Sequence, residues 1–193
     1  MPKVKYSHIV RKLIQKPVFT SHDMVSHGIP QSYVKRLASH LINQKRIRRI
    51  EKGKYTQSRN PMIIAPFLTF PSYLSMFTAL SLRNAILQVP QEIQVVSPRR
   101  RKNTAIKFES SKIRFFSPKP SMFFGYSHID YEKFKIPVAD IEKAIIDLAY
   151  FGYEPIGEIS AEIETDKVKE YLNLVKKKAV EKRALRWFDV TTK

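Results

Sequence analysis

The sequence predicts an α+β chain in two parts: a winged helix-turn-helix over residues 1–61, then a mixed α/β domain over residues 62–193 with a small, largely antiparallel sheet. Three observations predict it. Residues 31–44 carry an apolar stripe of helical period, residues 46–56 read as an Arg-rich hairpin around one glycine, and the remainder mixes short strand-like runs with longer amphipathic stretches. With 193 residues, 43% of them hydrophobic, each part has enough apolar side chain for its own core.

In the first part, residues 4–15 set Val4, Ile9, Val10, Leu13 and Ile14 at helical spacing, with Lys5, Arg11, Lys12 and Lys16 opposite and Pro17 as a stop. In FTSHDMVSHG, Thr20 or Ser21 offers an N-cap, Met24 and Val25 turn inward, and Gly28 ends a short helix before the Ile29-Pro30 turn. Residues 31–44 then place Val34, Leu37, Ala38, Leu41 and Ile42 at i, i+3, i+4, i+7 and i+8, the clearest periodicity in the chain. RIRRI alternates charged and apolar residues like a half-buried strand, EKGK supplies the turn, and Tyr55-Thr56 begins the return.

In the second part, the three prolines of residues 57–71 read as an irregular linker. Ser72 is expected to cap a helix to about Asn84, with Tyr73, Met76, Phe77 and Leu80 on one face. EIQVVS, AIKFES and KIRFFS read as strands whose short connections favour antiparallel pairing, and MFFGYSHIDYEKFKIPV adds extended segments. Asp140 is expected to cap a helix carrying Ile141, Ala144, Ile145, Leu148 and Ala149 and ending near Gly152. A final helix is expected from about 166 to 186, with Val168, Tyr171, Leu172, Val175, Ala179 and Leu185 available to pack and a lysine-rich outer face.

Charge narrows the function classes. The net charge is +18, and residues 1–60 hold fourteen Lys and Arg against only Asp23 and Glu51. A polyanion is the natural partner of such a surface, because neutralising phosphates releases condensed counterions. Duplex DNA fits better than RNA, since this part shows no aromatic platform for unstacked bases. The chain has no cysteine, which removes disulfides, thiolate zinc sites and thiol nucleophiles and is compatible with a reducing compartment; cytoplasm is the expected location. No apolar run approaches the ~20 residues of a membrane span, so no membrane partner is expected.

A helix-turn-helix lays its second helix in the major groove, so the face opposite the stripe must carry the reading side chains. At about 100° per residue, Ser32, Arg36, Ser39 and Asn43 point away from the core, with Lys35 and His40 beside them and Gln31 and Tyr33 at the helix start. Arg pairs in bidentate fashion with guanine and Asn with adenine, while Ser serves a base edge or a phosphate. Arg46, Arg48, Arg49, Lys52 and Lys54 form the expected basic wing, which adds affinity more than specificity. The plainer reading is a solvated charged face on a three-helix bundle; helix order, wing turn and charge excess together favour the nucleic-acid reading.

In FTSHDMVSHGIPQSYVKRLASHLINQKRIRRIEKGKYT, SYLSMFTALSLRNAI, IQVVSPRRRK and IPVADIEKAIIDLAYFG, the order of pieces resembles the AbiEi-type antitoxins of type IV toxin-antitoxin systems. The resemblance covers most of residues 19–152. It implies a repressor of its own promoter that counteracts a nucleotidyltransferase-like toxin, with DNA bound by the N-terminal part and the antitoxin role in the C-terminal part. By position, Tyr73, Thr78 and Ala79 match that family's helix and Glu142 and Asp147 its later one, all read as structural. A stand-alone transcription factor has the same sequence features. Two half-sites in an inverted repeat, met by a homodimer or by two monomers, are the expected operator.

Arg99, Arg100, Arg101 and Lys102 form either a second contact for phosphates or an acidic partner, or an exposed loop between strands. The lysine-rich final helix is read as a solvated face that could extend the DNA footprint. Five glycines leave no GxGxxG or P-loop, no cofactor is expected, and His22 and His27 at i and i+5 do not share a face for zinc. A metal nuclease, the alternative from another class, would need an acidic cluster followed by acid-x-Lys. Asp140 with Glu142-Lys143, and Glu164 with Asp166-Lys167, lack that spacing, and these carboxylates are expected to face solvent. No enzymatic activity is expected.

Overall fold

The computed structural model describes residues 6–154 and 159–191, and the chain divides into two compact units, Met1–Leu68 and Thr69–Lys193. Both helices and strands are present in each, with a small antiparallel sheet in the first and a larger mixed sheet in the second.

The first unit runs α1 (Ser7–Leu13), β1 (Phe19–Thr20), α2 (Ser21–Ser26), α3 (Gln31–Asn43), β2 (Arg48–Glu51), β3 (Lys54–Thr56) and α4 (Pro61–Ile64). Val4 and Lys5, read into the first helix, lie outside the described residues. Thr20 opens α2 through a reciprocal capping box: its hydroxyl accepts the Asp23 amide at 3.0 Å, and the Asp23 carboxylate accepts the Thr20 amide at 2.7 Å. Such a pair satisfies two helix-end donors that would otherwise need water. The stripe on α3 is buried through Val34, Leu37, Ala38 and Leu41 and packs with Val10, Leu13 and Met24 into one core. Gly53, at φ +75°, makes the tight turn between β2 and β3 that a side chain would strain.

β3 lies between β1 and β2, antiparallel to both, with Phe19 opposite Tyr55 and Arg49 opposite Tyr55. The third strand, β1, has no alternating run in the sequence. Two residues suffice because the strand only completes an edge that the hairpin leaves open. Residues 61–68 are packed and not an irregular linker: Asn60 accepts the Met62 amide at 3.0 Å, Pro61 stands at the first turn of α4, and Ile63, Ile64, Ala65, Pro66 and Leu68 are buried.

The second unit contains β4 (Tyr73–Leu74), α5 (Met76–Leu82), β5 (Glu92–Val96), β6 (Ala105–Phe108), β7 (Ser111–Phe116), β8 (Tyr126–Tyr131), β9 (Phe134–Ala139), α6 (Ile141–Phe151), α7 (Thr165–Val175) and α8 (Lys178–Thr191). Its sheet has six strands in the order β6-β7-β5-β4-β9-β8, larger than the small, largely antiparallel one expected. β6 hairpins against the outer edge of β7, so β7 returns parallel to β5, and β4 runs parallel to β9. Tyr73 is in a central strand and not on the expected helix; Ser75 stands at the N-cap position, and α5 begins at Met76. Pairing of Tyr73 and Leu74 with Val96 and Val95, far along the chain, outweighs the local helical spacing.

The expected last helix is two. The backbone turns left-handed at Lys176, φ +50°, and separates α7 from α8. α7 buries Val168, Tyr171 and Val175, whereas α8 buries Val180, Ala184 and Trp187; Leu185 is 46% exposed. The Arg183 guanidinium donates to the Ala149 carbonyl at 2.8 Å and the Trp187 indole to the Tyr153 carbonyl at 3.3 Å, tying α8 to the end of α6. No helix among the described residues is long and apolar enough to cross a membrane.

Candidate nucleic-acid interface

Within the first unit, α3 packs through one face. Its inward side chains are sealed in the core, and Gln31, Ser32, Lys35, Arg36, Ser39, His40 and Asn43 are exposed on the opposite side. Geometry, not charge alone, brings them together: residues three or four apart on a helix lie about one turn apart, so Ser32, Arg36 and Ser39 form a single row. Tyr33 is different. It is half-buried and rests against Tyr6, ring centroids 5.8 Å apart, which makes it a wall of the helix start.

The hairpin divides its cations between two tasks. Arg49 and Lys52 are exposed, and Arg46 and Arg48 half-buried, the latter donating to the Gln57 carbonyl at 3.4 Å. Lys54 is committed to the unit itself: its ammonium pairs with Glu51 at 2.8 Å and donates to the Leu68 carbonyl. Exposed Arg11, Lys12, Lys45 and Arg59 add to the charge of the same unit. The periodicity of α3 does not point to them, since they lie off that helix; the charge count does.

α2 is fixed electrostatically. The Lys16 ammonium meets the Asp23 carboxylate at 2.8 Å. Burial works against the charge of Asp23, yet hydrogen bonds from Lys16 and from the Thr20 hydroxyl and amide hold its carboxyl below the usual range. His22 is exposed, while the half-buried His27 lies 2.8 Å from the Asp23 carbonyl.

Compared with protein-family models and with curated proteins, the chain matches none.

In the second unit, Arg99, Arg100 and Lys102 are exposed in the loop between β5 and β6, whereas Arg101 is half-buried with its guanidinium 4.1 Å above the Phe115 ring. Arg101 therefore packs the loop onto β7, and its three neighbours are the ones that face outward.

The carboxylates expected to face solvent do not all do so. Glu142 is 3% exposed and accepts the Glu164 amide at 3.0 Å, and Asp140, at the N-cap of α6, accepts the Tyr171 hydroxyl at 2.8 Å and pairs with Lys167 at 3.3 Å. Further along the helix, fully buried Asp147 accepts the hydroxyls of Tyr73 at 3.1 Å and Ser75 at 2.7 Å and pairs with the buried ammonium of Lys143. Burial, then the Asp147 charge, pushes the Tyr73 phenol well above its ordinary range; burial pulls the Lys143 ammonium down against the opposing pull of Asp147. The amphipathic rule missed this cluster because α6 is buried almost all round, from Glu142 to Ala149. Its members are sealed and bonded to each other, so they lock α6 to β4 and offer no surface to a substrate.

Proposed function

We propose that the first unit is a winged helix-turn-helix that binds duplex DNA, with α3 in the major groove and the β2–β3 turn against the backbone, and that the chain is a transcriptional regulator. The observation that carries this reading is the division of α3 into a sealed apolar face and an exposed row of Ser32, Lys35, Arg36, Ser39 and Asn43. Three helices ahead of a hairpin, in a unit rich in Lys and Arg, support it. The more specific role is that of an autorepressing antitoxin that counteracts a nucleotidyltransferase-like toxin, acting in the cytoplasm on an inverted repeat in its own promoter. That role rests on the resemblance in residues 19–152.

Fluorescence anisotropy with a duplex from the chain's own upstream region and with a random duplex tests DNA recognition. Arg36→Ala reduces discrimination between the two by about 1–3 kcal/mol if Arg36 reads a base, while Arg49→Ala weakens both alike. Equal losses on both duplexes for Arg36→Ala and Arg49→Ala overturn the assignment of α3 as the reading helix. Absence of binding to either duplex at low salt overturns the proposal. For the antitoxin role, a nucleotidyltransferase-like product of the neighbouring gene should arrest growth unless this chain is co-expressed.

A further inference from the structure

We propose that the C-terminal unit binds a small aromatic anion bearing an N–H or O–H donor, in the cavity bounded by α5, β5, β7 and residues 86–91. The proposal stands apart from the duplex reading and shares no residue with it. The cavity is about 800 Å³. Its floor follows from strand alternation: β5 and β7 pair in parallel with Glu92 beside Lys112 and Gln94 beside Arg114, so these four side chains project from one face of the sheet.

Gln94 is the decisive residue. It is 3% exposed, its amide donates to the Thr78 hydroxyl at 2.9 Å, and its carbonyl accepts the Ser75 amide at 3.0 Å. Its side-chain Oε1, by contrast, is a buried acceptor with no hydrogen-bond partner among the described residues. A polar atom left in that state is destabilising, and an unmet acceptor lining a cavity is met when an occupant brings a donor. The last torsion of a glutamine side chain is broad, so a small turn of the carboxamide reaches such a donor.

The remaining walls fix the rest of the ligand. Phe77 and Tyr153 stand edge to face, 5.9 Å between ring centroids, and give the cavity an aromatic wall. At the rim Glu92 holds Arg114 at 2.7 Å and Lys112 at 3.3 Å, and these cations are 41% and 50% exposed. Two cations against one carboxylate leave a net positive charge there, which suits a carboxylate or phosphate on the ligand. Val89, 85% exposed at the mouth, is an apolar contact that an aromatic ring would cover. A largely apolar cavity with a few convergent polar groups is the general form of a small-molecule site.

Two sources supply this chemistry, a purine nucleotide and a hydroxylated aryl acid. Isothermal titration of the full chain with adenosine 5′-monophosphate and with 4-hydroxybenzoate distinguishes them: saturable binding of the first indicates a nucleotide, of the second an aryl acid. Gln94→Leu should weaken the bound probe roughly tenfold and raise the melting temperature of the unliganded protein, because the unmet acceptor is gone. Lys112→Ala, at a half-exposed side chain that folding does not need, should weaken the same probe about fivefold. Failure of both probes to saturate at millimolar concentration overturns the proposal, as does undiminished binding by Gln94→Leu or, should that variant not fold, by Lys112→Ala.

Discussion

Asp147 accepts two hydroxyls on one carboxylate oxygen and meets the Lys143 ammonium with the other, all within the interior of the C-terminal unit. Removing it would strand a buried cation and leave Tyr73 and Ser75 without their acceptor, so Asp147→Ala should destabilise this unit by about 3–5 kcal/mol. Asp147→Asn keeps an oxygen for the hydroxyls but no charge for the Lys143 ammonium, so it should destabilise as well, by less than the alanine variant. Trp187, the only tryptophan, is buried in the same unit, so denaturant unfolding followed by its fluorescence reads the difference. Asp23 gives the contrasting case at the surface. Its carboxyl lies below the usual range in the folded chain, so its stabilisation is complete above the ordinary carboxylate value of 3.8 and is lost as pH falls through the lower folded value. Asp23→Ala should remove about 1 kcal/mol at neutral pH and flatten the acid side of the stability profile, which thermal melts between pH 2 and 7 would measure.

Element by element, legibility in the sequence followed where the stabilising contacts lie. α3 was readable because one face meets the core and the other meets solvent, so burial repeats with the period of the helix; Val34, Leu37 and Leu41 are buried and Arg36 and Ser39 exposed as that period requires. The capping box of α2 was readable in part, because Thr20 lies within four residues of every group it serves. β4 was not, since Tyr73 and Leu74 are strand residues only by virtue of Val95, Val96 and Val138, and neither was the bonding of Asp147, whose partners Tyr73 and Ser75 are over seventy positions away. The hairpin shows the same limit within a single element. Its charges are equivalent in the sequence, yet Lys54 is bound to Glu51 and the Leu68 carbonyl while Arg49 stands outside. Lys54→Ala should therefore lower the melting temperature with little change in duplex affinity of the folded protein, and Arg49→Ala should do the reverse.

At the scale of the whole molecule, the uneven distribution of charge predicts which part governs salt dependence. Residues 1–60 carry fourteen cations against two carboxylates, whereas residues 61–193 carry twenty-one against fifteen, many of the latter already paired within the fold. Each phosphate neutralised by a cation contributes about −0.9 to the slope of log K against log salt concentration. If the first unit makes the backbone contacts, Arg49→Ala should reduce the magnitude of that slope by about 1, and removing Arg100 from the exposed loop of the second unit should leave it unchanged. Anisotropy titrations of a random duplex between 50 and 200 mM salt separate the cases, because a random sequence reports backbone contacts without base reading. A slope that falls equally for Arg49→Ala and Arg100→Ala would extend the duplex footprint to the second unit, and one unaltered by Arg49→Ala would remove the hairpin from it.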